Sequence, residues 1–180
     1  MASVDELKQQ LKDRLADFDN QVKDRNNDKN NRAKEFAQWN TDRQKDLKEA
    51  LARHDADLKN TNTEFQNRIN QHNSDTAKEL KQKQTDINNE AAARQREINS
   101  AKGEDKANKQ RELNEWRNGA NEELKRWQQD RADTLKNIQN DWGNAKSDNA
   151  NNKKNELDNR NNEIAQYKKD YESQVNDFSN

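Results

Sequence analysis

The sequence predicts an all-α fold. It reads as one long, near-continuous helix whose apolar stripe packs between chains in a straight to slightly right-handed coiled-coil bundle. Three observations carry this expectation. Apolar residues recur at a step of 11 over most of the chain. Proline is absent, and the only glycines are Gly103, Gly119 and Gly143; at an average usage of about 5%, a chain of this length would carry roughly nine prolines. Charged residues make up 38% and hydrophobic residues 27%. That is too little apolar matter for a wide core, but enough for a narrow seam along a helix.

The step of 11 runs on three interleaved tracks. The first meets Phe36, Leu47, Leu58, Ile69, Leu80, Ala91, Lys102, Leu113, Leu124, Leu135, Lys146 and Leu157. Nine of those twelve are large and apolar, where chance placement would give about three. The second track passes through His54, Phe65, Thr76, Ile87, Ile98, Lys109, Ala120, Arg131, Trp142, Lys153, Ile164 and Val175. The third passes through Trp39, Ala50, Thr61, His72, Lys83, Arg94, Asp105, Trp116, Trp127, Ile138, Asn149, Arg160 and Tyr171. Eleven residues in three turns is about 3.67 per turn, close to the 3.6 of a straight helix, so such a stripe keeps to one side. A seven-residue repeat would instead impose a left-handed supercoil.

Taken in order, the chain begins with a capping box. Ser3 is placed as N-cap, Glu6 reaches back, and Asp5 suits the first turn. Ala2 and Leu7 are placed to form a weak staple. A first apolar stripe follows at Val4, Leu7, Leu11, Leu15, Phe18 and Val22. It is displaced by one residue from the later tracks. Between lies the wholly polar run 23–32, rich in asparagine, a mediocre helix former and the first expected weak point or hinge. From Phe36 to Ile98 the tracks hold register.

The second weak point is 100–109, where Gly103 costs about 1 kcal/mol in a helix interior. A helical hairpin with arms 4–100 and 105–178 is the alternative there. Ile98 and Leu113 keep the same phase across the glycine, and on that ground the sequence reading favours continuous helix. The stripe is richest from Leu113 to Trp142. A third polar gap spans 143–155, and Ile164, Tyr167, Tyr171, Val175 and Phe178 close the chain. The expected unit is thus a single rod over 1–180, on the order of 270 Å long at about 1.5 Å per residue.

Function classes narrow accordingly. Thirty-four basic and 35 acidic residues give a net charge of −1, with both signs interspersed. That pattern suits a solvated helix surface and not nucleic acid, which selects a basic stripe. Anionic membranes are disfavoured for the same reason. No run approaches the roughly 20 apolar residues of a membrane span, and the N-terminus lacks the apolar core of a signal peptide. Localisation is left open. Cysteine is absent, so disulfides and thiolate zinc sites are excluded. No Gly-rich loop and no Ser/His/Asp grouping suggests catalysis, and no cofactor, metal or small-molecule substrate is expected.

Four tryptophans lie on the tracks, read as bulky seam fillers whose indole N–H groups reach polar neighbours. His54 and His72, 18 residues apart, are too far apart for an i,i+4 metal pair and read as polar layers; a histidine ring across several chains is the metal-binding alternative.

A stripe of this kind demands a partner, since helix stability comes mostly from packing. The expected partner is the chain itself. The expected function is a structural, non-enzymatic, self-assembling subunit of a filament, fibre or stalk. Its association stripe is Phe36, Trp39, Leu47, Leu58, Phe65, Ile69, Leu80, Ile87, Ile98, Leu113, Trp116, Leu124, Trp127, Leu135, Ile138, Trp142, Leu157 and Ile164. The alternative is a hydrophilic stress protectant, largely disordered until dried or bound. The eleven-residue period resembles that of right-handed coiled-coil stalks, of desiccation proteins of the LEA kind and of perilipin-like lipid-surface proteins. The period is shared and their motifs are not.

Overall fold

A computed structural model describes residues 3–177. It is all-helical. Helix α1 spans Val4–Ser100 and helix α2 spans Gly103–Asp177. Among the described residues only Ser3, Ala101 and Lys102 lie outside them. The N-terminal cap forms as the sequence predicts. The Ser3 N–H donates to Glu6 Oε2 at 2.8 Å and the Glu6 N–H to Ser3 Oγ at 3.2 Å, so two end donors are satisfied reciprocally. The staple through Ala2 and the last stripe residue, Phe178, fall outside the described residues.

The expectation of one near-continuous helix is overturned at Ala101–Lys102. Helix α1 ends there with the Ala101 N–H donating to the Ile98 carbonyl at 3.1 Å and Ser100 Oγ to the Arg96 carbonyl at 3.0 Å. Gly103 takes a φ of +61°, the left-handed region that a side chain disfavours. The glycine makes a turn where the sequence reading had placed a tolerated flaw inside a helix. Phase was a poor guide for a physical reason. Ile98 and Leu113, at 2% and 0% exposure, are the last buried residue of α1 and the first of α2. A two-residue turn fixes that interval as firmly as continuous helix does. Folding back also covers the stripe without the loss of translational and rotational freedom that an intermolecular partner entails.

The chain forms two compact units. The first takes the residues up to Asp55 together with those from Ala150 onward. In it, α1 and the C-terminal part of α2 run antiparallel around Leu47 and Ala50, at 8% and 3% exposure. The second is Ala56–Asn149, an antiparallel pair closed by the turn, with Phe65, Ile98 and Leu113 as its buried residues. Helix α1 runs unbroken through 23–32 and α2 through 143–155.

The polar faces carry a device of their own. Glutamine amides donate to Asp or Asn four residues on, as in Gln38–Asp42 at 2.9 Å, Gln71–Asp75 at 2.8 Å and Gln129–Asp133 at 2.9 Å. Each such pair supports its helix by about 0.2–0.5 kcal/mol.

Candidate functional site

The chemistry of this chain is concentrated where apolar side chains meet or remain open. In the second unit, the apolar seam is fastened at its edges by long polar side chains. Trp142 stacks on Phe65 with centroids 6.4 Å apart and planes 7° from parallel. Its indole N–H donates to Asn62 Oδ1 at 2.8 Å. Arg131 donates to Glu79 at 2.8 Å. Lys83 lies 5.5 Å and Arg131 5.6 Å from the Trp127 ring, and Arg94 lies 5.0 Å from Trp116. Trp142 is capped by Lys146 at 4.6 Å. Cations over indole faces gain roughly 0.5–1 kcal/mol at such exposed sites, and their aliphatic stems shield the seam.

In the first unit an aromatic stack replaces the aliphatic seam. Phe36 lies on Tyr171 at 4.4 Å and Trp39 on Tyr167 at 3.8 Å, with planes 7° and 19° apart. Arg32 donates to Gln174 at 2.7 Å and Lys153 to Asp55 at 2.6 Å. Arg43 covers Trp39 at 5.6 Å, and its buried Nε has the Glu163 carboxylate 3.8 Å away. Arg160 donates to Glu156 at 2.6 Å. That bond holds the Glu156 carboxyl below its ordinary 4.5, aided by the positive charges of Arg160, His54 and Arg53. The same bond raises the Arg160 guanidinium.

The structure places every residue of the expected stripe on a covered face. Leu47, Phe65, Ile98 and Leu113 are buried. Phe36, Trp39, Leu58, Ile69, Leu80, Ile87, Trp116, Leu124, Trp127, Leu135, Ile138, Trp142, Leu157 and Ile164 are half-buried. The polar track positions Thr61, His72, Arg94, Lys109, Arg131, Asn149, Lys153 and Arg160 are half-buried as well. Several meet carboxylates or ring faces of this same chain.

One groove opens in the second unit, with a volume of about 550 Å³. Ile87, Trp116, Ala120 and Leu124 give it apolar walls, Gly119 supplies no side chain, and Lys83, Asp86, Glu90 and Glu123 stand around it. Among the described residues no cluster of three or more His, Cys, Asp or Glu side chains is placed to hold a metal ion. His72 has its Nε2 3.5 Å from Thr76 Oγ1. Within the described residues no helix is long and apolar enough to cross a membrane.

Apart from Tyr167 on α2, the exposed large apolar residues among those described are at the start of α1. Val4, Leu7, Leu11, Leu15, Phe18 and Val22 are 41–68% exposed. In the sequence they carry the same 3-and-4 rhythm, one residue out of step with the later tracks. At about 100° per residue, however, Phe18 and Phe36 are five full turns apart, and Leu11 and Leu47 ten. On an unbroken helix the open residues therefore continue the covered face. The signal that would have found them is the 3.6-residue period, applied in place of 11.

Compared with protein-family models, curated proteins and solved structures, the chain gives no match.

Proposed function

We propose that this protein is a non-enzymatic structural subunit, a coiled-coil chain that associates with copies of itself to build a filament, fibre or stalk. The observation that supports this best is the open face itself. The apolar rhythm of α1 extends to Val4, well past Arg32, whose side chain reaches Gln174 on α2. An apolar helix face left in water is a standing incentive to associate. The eleven-residue spacing along both helices keeps such a coiled coil nearly straight, and the interspersed surface charge limits attachment to other partners.

The test is sedimentation velocity over a broad concentration series, with negative-stain electron microscopy of the same samples. Association that grows with concentration, and regular particles longer than the single chain, is the expected result. A monomer at every concentration refutes the reading. One observation favours a second reading, a LEA-like protectant: the mean hydropathy is −1.80. Circular dichroism in dilute buffer separates the two. Strong helicity there argues against a chain that orders only on drying or binding.

A further inference from the structure

We infer that the open face at the start of α1 is closed by the same face of a second copy, running antiparallel, to give a two-fold symmetric dimer. This rests on the self-association reading and narrows it to one surface, one partner and one orientation.

The argument begins with what covers this helix elsewhere. Within the first unit α2 lies antiparallel on the Phe36–Leu47 face of α1, and Arg32–Gln174 is close to the end of that cover. Residues 4–35 of α1 are all exposed. The open stripe is in line with the covered one, so whatever seats on it continues an interface already built.

Orientation follows from sterics. A parallel, in-register copy would seat its own α1 on the same face and, beyond Arg32, would run into the α2 already there. An antiparallel copy leads away from the described end of α2. The spacing also fits. A two-fold centred near residue 13 sets Val4 against Val22, Leu11 against Leu15, and Leu7 beside Phe18. Every apolar residue of the stripe then has an apolar counterpart.

One ion pair also fits this arrangement. Lys8 and Asp19 are 11 residues apart, about three turns, and flank the stripe on the same side. In an antiparallel pair like flanks face each other, so Lys8 meets the partner's Asp19 twice over by symmetry. The closed pair uses the face completely, so any longer assembly has to be built from dimers through another surface.

Two measurements on the full chain test this. In the first, Leu11→Lys is compared with the parent by sedimentation equilibrium. Leu11 is 61% exposed, so the variant should keep its thermal melt in dilute solution, while an unpaired charge in the seam weakens the dimer by tenfold or more. In the second, the cysteine-free chain carries Leu11→Cys in one sample and Leu15→Cys in another. Oxidation should give disulfide-linked dimers efficiently only when the two are mixed. Cross-linking of each variant alone would overturn the antiparallel register. Unchanged association of Leu11→Lys would overturn the surface while leaving self-association standing. A parent that stays monomeric, yet pellets with phosphatidylcholine–phosphatidylglycerol vesicles, would overturn both and give the face to a lipid surface.

Discussion

Two stretches of α1 share one rhythm and meet opposite fates. Val4 to Val22 and Phe36 to Ala50 each place apolar residues three and four apart on the same side of the helix. Phe18 is 60% exposed, whereas Phe36 sits between Tyr167 and Tyr171 with ring centroids 5.9 and 4.4 Å away. Composition does not explain the difference. In the structure α2 lies against α1 as far as the Arg32–Gln174 contact, and residues 4–35 of α1 are exposed. A stripe acquires its energetic meaning from what covers it, and the same pattern stabilises the fold in one place and stays exposed in the other.

The sharpest way to break that comparison is to empty the covered side. Leu113→Ala should destabilise the chain by about 3 kcal/mol, because a fully buried leucine loses its transfer energy and leaves a cavity. Denaturant unfolding followed by circular dichroism measures it. The matching Leu11→Ala change should leave unfolding of the dilute chain nearly untouched.

The turn comes next. Gly103→Ala should cost about 1–2 kcal/mol, since φ is +61° and an L-residue is strained there. Nothing lies within 4 Å of the added Cβ, so the effect is one of backbone conformation alone. Gly119→Ala is the control. It also has open space around its Cβ and lies inside a helix, so thermal melts should show stabilisation by up to about 1 kcal/mol. If both glycine variants moved the melt in the same direction, the turn would not be where the structure puts it.

Trp142→Phe should cost about 1 kcal/mol, keeping the stack on Phe65 while leaving Asn62 without its donor. The smallest effect belongs to Glu156. Its carboxyl is held low chiefly by the Arg160 hydrogen bond, so the folded state favours the ionised form. The resulting stability is present above the carboxyl's ordinary 4.5 and is lost as pH falls through the lowered folded value. Glu156→Gln should therefore be less stable than the parent near neutrality and converge with it in acid. A constant gap across that range would mean the bond is not what lowers the carboxyl.

Much of this was open to reading from the residues. The Ser3–Glu6 cap, the absence of strands among the described residues, the tryptophans as seam residues and the Trp142 indole bond to a polar neighbour all follow from local chemistry. The turn at Ala101–Lys102 did not, although Gly103 marked the place. The spacing there is compatible with continuous helix and with a tight hairpin, and the left-handed φ of Gly103 with contacts between the helices such as Arg131–Glu79 separates them. Arg131 and Arg160 stand on the tracks, and what they reach is invisible to a pattern of positions. In the structure one donates to Glu79 across the pair and the other to Glu156 on its own helix.

What the sequence determined by itself is helix and face. Those depend on interactions a few residues apart, on caps, on missing proline and on the spacing of apolar residues. Which stripe covers which was decided only by the tertiary structure. Pairing within the chain and pairing between chains bury the same side chains, and they differ in the entropy of bringing the faces together and in a single turn that lets the chain reach itself. In the structure α2 covers the Phe36–Ala50 stretch of α1 and leaves Val4 to Val22 exposed.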